Sequence, residues 1–217
     1  MEAATHTGIG CSGGLLPEVI LNQLLSSAGM EPLSPALSEK FAAYQRLLMK
    51  WNSRLNLTAI RSEEGILRRH FVECIFCARH LPAGISSLLD FGSGAGFPGL
   101  PIALCRPEIS VTLAESQTKK SAFLREAVRV LGLGTEIYSG RVETLRLRFQ
   151  AVAMRAVDKM EEAIPLAIER LSPKGLLALM ASESSHFPDQ YPALDWSEAI
   201  PLPYSEQNVL LMARLRR

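Results

Sequence analysis

The chain has 217 residues, 47% of them hydrophobic, and its 23 basic and 22 acidic residues leave a formal net charge of +1. A chain of this size can bury one substantial core, and so even a charge balance excludes a surface that is polyanion-seeking as a whole, so any nucleic-acid contact has to be regional. No apolar run reaches the roughly eighteen residues that a spanning helix needs, and the opening MEAATHTGIGCSGG lacks the basic and apolar regions of a secretory signal, which points to the cytoplasm.

Residues 1–14 are small, polar and glycine-containing and are expected to form a disordered tail. Residues 15–81 read as a helical N-terminal segment. LLPEVILNQLLSSAG, SPALSEKFAAYQRLLMKWN and SEEGILRRHFVECIFCARHL each repeat apolar residues at three- and four-residue steps, and Ser34 before Pro35 and Ser62 before Glu63 and Glu64 mark helix starts. His70, Cys74, Cys77 and His80 share one helix face and are all zinc-ligand types. Spread over about 15 Å of helix they cannot converge on an ion whose bonds are about 2.0–2.3 Å long, so no metal is expected. The four cysteines, Cys11, Cys74, Cys77 and Cys105, are too scattered for a disulfide framework and are expected to be reduced.

Residues 82–217 change period. SSLLDFG, ISVTLAES, TEIYSG, AVAMRAV and GLLALMASE are short apolar runs, separated by the helical segments GLPIALC, KKSAFLREAVRVLG and KMEEAIPLAIERLS. Strand alternating with helix predicts a parallel sheet with right-handed crossovers, an α/β fold. At the end LDWSEAIPLPY and NVLLMARL follow one another with only a short loop at Ser205 and Glu206 between them, which predicts a closing antiparallel hairpin.

The loop LLDFGSGAGFPGLP, after the first strand, packs four glycines and an acid. A glycine-rich turn of this kind lets the backbone approach a nucleotide-like cofactor, and the helix behind it offers free N–H groups. Two registers compete: Gly94, Gly96 and Gly99 fit the dinucleotide pattern G-x-G-x-x-G, whereas Asp90, Gly92, Gly94 and Gly96 fit the D-x-G-x-G-x-G of S-adenosylmethionine-dependent methyltransferases. Glu115, at the end of the second strand, is placed to hold ribose hydroxyls under either reading. The closing antiparallel strand favours the class I methyltransferase (Rossmann-like) fold, and Asp90 would suit a cationic amino-acid cofactor better than a pyrophosphate. An NAD-dependent reductase using the Gly94 register stays as the alternative enzyme, and an inert RNA-binding module as the alternative outside enzymes.

The acceptor is narrowed by what the sequence lacks. The fourth strand ends in MRAVDKM, without the Asp-Pro-Pro or Asn-Pro-Pro aromatic motif of exocyclic amine methylation, and Cys105 sits on a helix rather than on a loop where it could attack a base. An acceptor with its own lone pair, such as guanine N7, needs positioning more than a base.

KWNSRLNLTAIRSEEGILRRHF, LLDFGSGAGFPGLPIAL, SGRVETL and MRAV, in this order and spacing, resemble the RsmG (GidB) family of bacterial methyltransferases, which modify guanine N7 in 16S ribosomal RNA. The resemblance runs from about Leu33 to the last strand. It implies S-adenosylmethionine as cofactor and small-subunit ribosomal RNA or the 30S particle as partner, with no membrane; a monomer is expected. The family's cofactor contacts fall on Gly92, Phe97, Val142, Glu143 and Arg155, and Gly94, Gly96 and Glu115 join them from the loop pattern and the ribose argument. Asn56, Arg69 and His70 match its Asn-Leu-Thr and Arg-His motifs and are candidates for the RNA side, either on a flipped base or holding the helical segment in place. Arg61, Arg68, Arg69, Lys119, Lys120, Arg125 and the closing Arg214, Arg216 and Arg217 are candidates for phosphate. Departures from the family pattern are Met154 for a serine, Met180 for a lysine, Glu73 and Cys74 for an Asp-Ser pair, and Gln207 or Asn208 where a basic residue is expected.

Overall fold

A computed structural model of the chain describes residues 16–155, 160–183 and 187–216. The expected tail, the end of the MRAV motif with its following residues 156–159, and Arg217 lie outside the described residues.

The N-terminal helices are α1 (Pro17–Ser27), α2 (Pro35–Asn52), α3 (Glu63–Ile66) and α4 (Glu73–His80), with a π-helical stretch, Leu67–Val72, joining α3 to α4. Both expected starts are present: Ser34 Oγ accepts from Leu37 N–H and Ser62 Oγ from Gly65 N–H, at 3.4 and 3.2 Å, each satisfying a first-turn donor. The π-helical stretch has no signature in the apolar spacing.

Strands β1 (Ser87–Phe91), β2 (Ser110–Ala114), β3 (Glu136–Tyr138), β4 (Phe149–Arg155) and β5 (Leu171–Ser182) are mutually parallel and alternate with α5 (Gly99–Cys105), α6 (Thr118–Leu131) and α7 (Met160–Glu169). Helix α6 stops at Gly132, whose φ of 61° is a left-handed cap. Pro165 lies inside α7 and has no N–H for the Glu161 carbonyl; Tyr191 O–H donates to that carbonyl instead, at 3.0 Å. α7 ends at Glu169, so Leu171 and Ser172, read as helical from the sequence, already belong to β5.

After the short helix α8 (Phe187–Gln190), β6 (Leu194–Trp196), β7 (Ile200–Pro201) and β8 (Asn208–Leu215) complete the sheet in the order β3-β2-β1-β4-β5-β8-β6, with β7 also on β8. β8 runs antiparallel to β5, and β6 and β7 run antiparallel to β8. The expected closing hairpin is therefore present, with its second strand docked between β5 and β6.

Alternate residues of each strand face opposite sides of the sheet. Leu88 joins a core shared with Leu25, Tyr44, Phe71, Leu100 and Phe123, so the N-terminal helices, α5 and α6 pack on one face. Leu89 joins Val152, Met154, Ile164, Leu177 and Leu211 on the other, covered by α7. The chain order reverses between β1 and β4, and a cleft opens at the carboxyl ends of these strands.

Candidate active site

The glycine loop leaves β1 with Gly92, Gly94 and Gly96 at φ of 72°, 56° and 89°, a left-handed conformation that side chains strongly resist. It is held on three sides. Ser93 N–H donates to Ala114 O at 2.9 Å, Tyr44 O–H of α2 donates to Ala95 O at 2.5 Å, and Gly94 N–H donates to Glu115 Oε2 at 2.9 Å. A Cβ at Gly96 would lie 2.9 Å from the Tyr44 oxygen and 2.4 Å from Leu100, so this glycine also permits the loop to sit against α2 and α5.

Asp90 is fully buried, and its carboxylate turns toward the start of α5, where Oδ2 accepts Gly99 N–H at 3.1 Å and Oδ1 has no partner. Burial pushes its carboxyl up to about 7, against hydrogen bonds from Ser93 and Gly99 that hold it down. It thus braces the loop from behind, through its bond to Gly99 N–H, a role that its place in the motif does not reveal. Gly99 serves that packing: a Cβ there would lie 2.4 Å from Leu113 and 2.5 Å from Asp90 Oδ2. A close helix–strand contact of this kind belongs to either glycine register, so the loop alone does not separate them.

Two cavities flank the loop. One, of about 400 Å³, is lined by Phe91, Gly92, Glu115, Val142 and Glu143 and reaches α7 at Glu162 and Ala163. The other, of about 520 Å³, is lined by Thr58, His70, Gly92, Phe97, Glu115 and Arg155. Gly92 and Glu115 belong to both. Glu115 accepts Gly94 N–H on Oε2 and Gln117 N–H on Oε1, the latter at 2.7 Å, and each carboxylate oxygen keeps a second lone pair for a hydroxyl. A ligand with a flat heterocycle, a central diol and an amino-acid arm fits this divided space, the diol at Glu115. That is the shape of S-adenosylmethionine.

The wall of the second cavity is a chain of hydrogen bonds built on Arg155 at the end of β4. Its Nη2 donates to Glu73 Oε2 at 2.7 Å and to the Arg69 carbonyl, and its Nη1 lies 2.7 Å from His70 Nδ1. Glu73, fully buried, also forms an ion pair with Arg69, its Oε1 lying 2.9 Å from Arg69 Nε. Burial raises the Glu73 carboxyl above its ordinary range, and the two arginines oppose that rise. His70 stacks on Phe97 with ring centroids 4.6 Å apart, and its Nε2 lies 2.7 Å from Thr58 Oγ1. Burial, then the neighbouring Arg155 and Arg69, push His70 down to about 3, so the ring is neutral at physiological pH.

Of the residues singled out from the sequence, Gly92, Gly94, Phe97, Glu115, Val142, Glu143, His70 and Arg155 line the two cavities. Arg155 is not a free cation at the mouth, because its Nη1 and Nη2 are engaged by His70, Glu73 and the Arg69 carbonyl. Gly96 supports the loop from the α2 side, and Arg69 contributes its carbonyl and its ion pair behind the wall. Asn56 is exposed and accepts from Arg61 at 2.9 Å. The buried asparagine is Asn52, whose Oδ1 accepts the N–H groups of Leu57 and Thr58 and whose Nδ2 donates to Thr58 O. Asn52, Tyr44, Thr58 and Glu73 are the site residues that the sequence reading passed over. Glu73 appeared there only as a departure, although its place one helical turn after Arg69 was the available signal.

Lys120 reaches the second cavity, Arg68 pairs with Glu64 and lies 5.2 Å over the Tyr204 ring, and Arg125 donates to Ser139. Met180 is buried beside Arg155 in the β4–β5 register and Asn208 opposes Ser182. Among the described residues no group of three or more His, Cys, Asp or Glu is placed to hold a metal.

Residues 37–191 match the family model described as GidB, rRNA small subunit methyltransferase G. A protein of that name from Roseiflexus sp. is 44% identical over 63% of this chain and 64% of its own length. Its namesake from Halorhodospira halophila is 40% identical over 77% of this chain and 80% of its own. Among solved structures, cofactor-bound Rv0187 from MTB covers 95% of this chain and all of its own at 18% identity, with a TM-score of 0.60. TYW2 of M. jannaschii, solved in complex with AdoMet, covers 74% of this chain and 80% of its own at 17% identity, with a TM-score of 0.57.

Proposed function

The chain belongs to the rRNA small subunit methyltransferase G (GidB) family, and on that premise we propose that it transfers the methyl group of S-adenosylmethionine to guanine N7 of 16S ribosomal RNA. The observation that carries this reading is the pair of cavities meeting at Gly92 and Glu115.

When bound, S-adenosylmethionine supplies an electrophilic methyl group whose C–S bond breaks with its electron pair left on sulfur. Guanine N7 brings its own lone pair and has no proton to lose, so no base is required and orientation can supply most of the rate. In this assignment Val142 and Glu143 flank the heterocycle, Glu115 takes the ribose hydroxyls, and the loop backbone at Gly92 and Gly94 approaches the amino-acid arm. Phe97 and His70 form the flat wall against which an extruded base can stack. The neutral His70 ring matters there, because the purine gains a positive charge on methylation and a cationic imidazole would oppose it.

Lys120 at the cavity and the exposed Arg61, Arg68, Lys119 and Arg125 are assigned to RNA phosphates. The reading takes the protein to work as a monomer in the cytoplasm; among the described residues no helix is long and apolar enough to cross a membrane.

Unmodified small subunits or their naked RNA, incubated with labelled S-adenosylmethionine and mapped by borohydride and aniline cleavage, should show label at one guanine N7. Calorimetry should show S-adenosylmethionine binding and none for NAD. Tight NAD binding without a response to S-adenosylmethionine would give the site to a reductase. Cofactor binding without transfer to either substrate would leave an inert RNA-binding module.

A further inference from the structure

The protonation of His70 follows from its neighbours. A guanidinium has only donors, so His70 Nδ1, 2.7 Å from Arg155 Nη1, is the accepting nitrogen and the neutral ring carries its hydrogen on Nε2. Nε2–H therefore donates to Thr58 Oγ1, at 2.7 Å. The same oxygen accepts Ile60 N–H at 3.2 Å. Both lone pairs of the Thr58 hydroxyl are then in use, and toward a ligand it can act only as a donor. Thr58 lines the second cavity with His70, Phe97 and Arg155, and among the described residues nothing accepts its hydrogen. Asn52 fixes the backbone on both sides of it, so the hydroxyl is held and not merely nearby.

Guanine presents N7 and O6 as adjacent acceptors on one edge, whereas adenine has N7 next to an amino donor. A base placed to receive a methyl at N7 must put its C6 substituent close beside the transfer site. We infer that the Thr58 hydroxyl donates to O6 of the acceptor base and so selects guanine over a 6-aminopurine, with His70 as the positioning residue that makes the hydroxyl donor-only. This rests on the proposed N7 methylation. An ordinary hydroxyl could rotate and accept from an amino group; one whose lone pairs are both filled meets that group donor to donor. Leaving such a donor unpaired in a closed site costs a factor of roughly 10 to 100.

The test uses small-subunit RNA carrying at the target either guanosine or 2,6-diaminopurine riboside, which keeps N7 and the 2-amino group but replaces O6 with an amine. Thr58→Val should lower kcat/KM on guanosine by about 10- to 100-fold, to near the diaminopurine value, with the affinity for S-adenosylmethionine unchanged. Thr58→Ser should retain the preference. His70→Phe, which keeps a ring on Phe97 but returns a lone pair to Thr58, should raise the diaminopurine rate relative to guanosine. An unchanged guanosine-to-diaminopurine ratio in Thr58→Val overturns the inference, as does a loss of cofactor affinity, which would assign the hydroxyl to the cofactor's carboxylate. Failure of the unaltered protein to label guanosine N7 would instead remove the parent reading, and this inference with it.

Discussion

Asp90 shows what a single residue's surroundings add to its identity. The aspartate before the glycines was legible as part of a pattern, but its direction was not, because that depends on how closely α5 approaches β1 at Gly99. In the fold its carboxyl is pushed up to about 7 from an ordinary 3.8 by burial. Between those values the folded chain holds a proton that the unfolded chain has lost, so this group favours folding at low pH and the contribution disappears as pH rises through the folded value. Asp90→Asn keeps an oxygen for Gly99 N–H and removes the titration. Urea unfolding of both proteins from about pH 4 to about pH 8 should therefore show the variant gaining on the parent as pH rises, by at most about 1.4 kcal/mol per pH unit. His70 is present in both proteins and acts in the opposite direction, its contribution lost as pH falls from its ordinary 6.5 toward about 3. The difference between the curves isolates Asp90, and parallel curves would mean that its carboxyl titrates normally.

Helices and strands were readable because apolar spacing reports which face is covered, and the caps at Ser34 and Ser62 are local chemistry. What joins one element to another was not readable. Tyr44 looked like one more apolar position of α2, yet its hydroxyl reaches Ala95, 51 residues away, and its ring stacks on Phe97 at 5.4 Å. Nor does any period announce the π-helical stretch Leu67–Val72, which carries Arg69 and His70 toward Arg155 and is the sort of irregularity found at functional sites. Tyr44→Phe separates the two roles of that side chain. The stacked ring remains while the Ala95 carbonyl loses its donor, so stability should fall by about 1–3 kcal/mol in urea unfolding. Calorimetry should show weaker S-adenosylmethionine binding, since the loop loses one of its three anchors. Full affinity in the variant would show that α2 supports the fold without setting the loop.

At the scale of the molecule, the N-terminal helices and the sheet close the same space. The sequence reading divides the chain into a helical segment, 15–81, and a methyltransferase domain, 82–217, where the apolar period changes. The physical connection between them is extensive: Leu25, Tyr44, Phe71, Leu100 and Phe123 belong to one buried cluster, and Arg106 of the α5–β2 turn donates to the carbonyls of Ala78, Leu81 and Pro82. Thr58, His70 and Glu73, all before residue 82, build one wall of the second cavity or hold Arg155 in it. A fragment of residues 82–217 would expose to water the apolar face that α2 and α4 cover and would lose His70, the Arg69 carbonyl and Glu73, the groups that hold Arg155 in the wall of the second cavity. Expressed alone, this fragment should show no cooperative unfolding transition and no S-adenosylmethionine binding by calorimetry, and co-expression with residues 15–81 should restore both. A fragment that unfolds cooperatively and binds the cofactor unaided would show instead that the sheet and α5–α7 suffice, with the helical segment serving the RNA side alone.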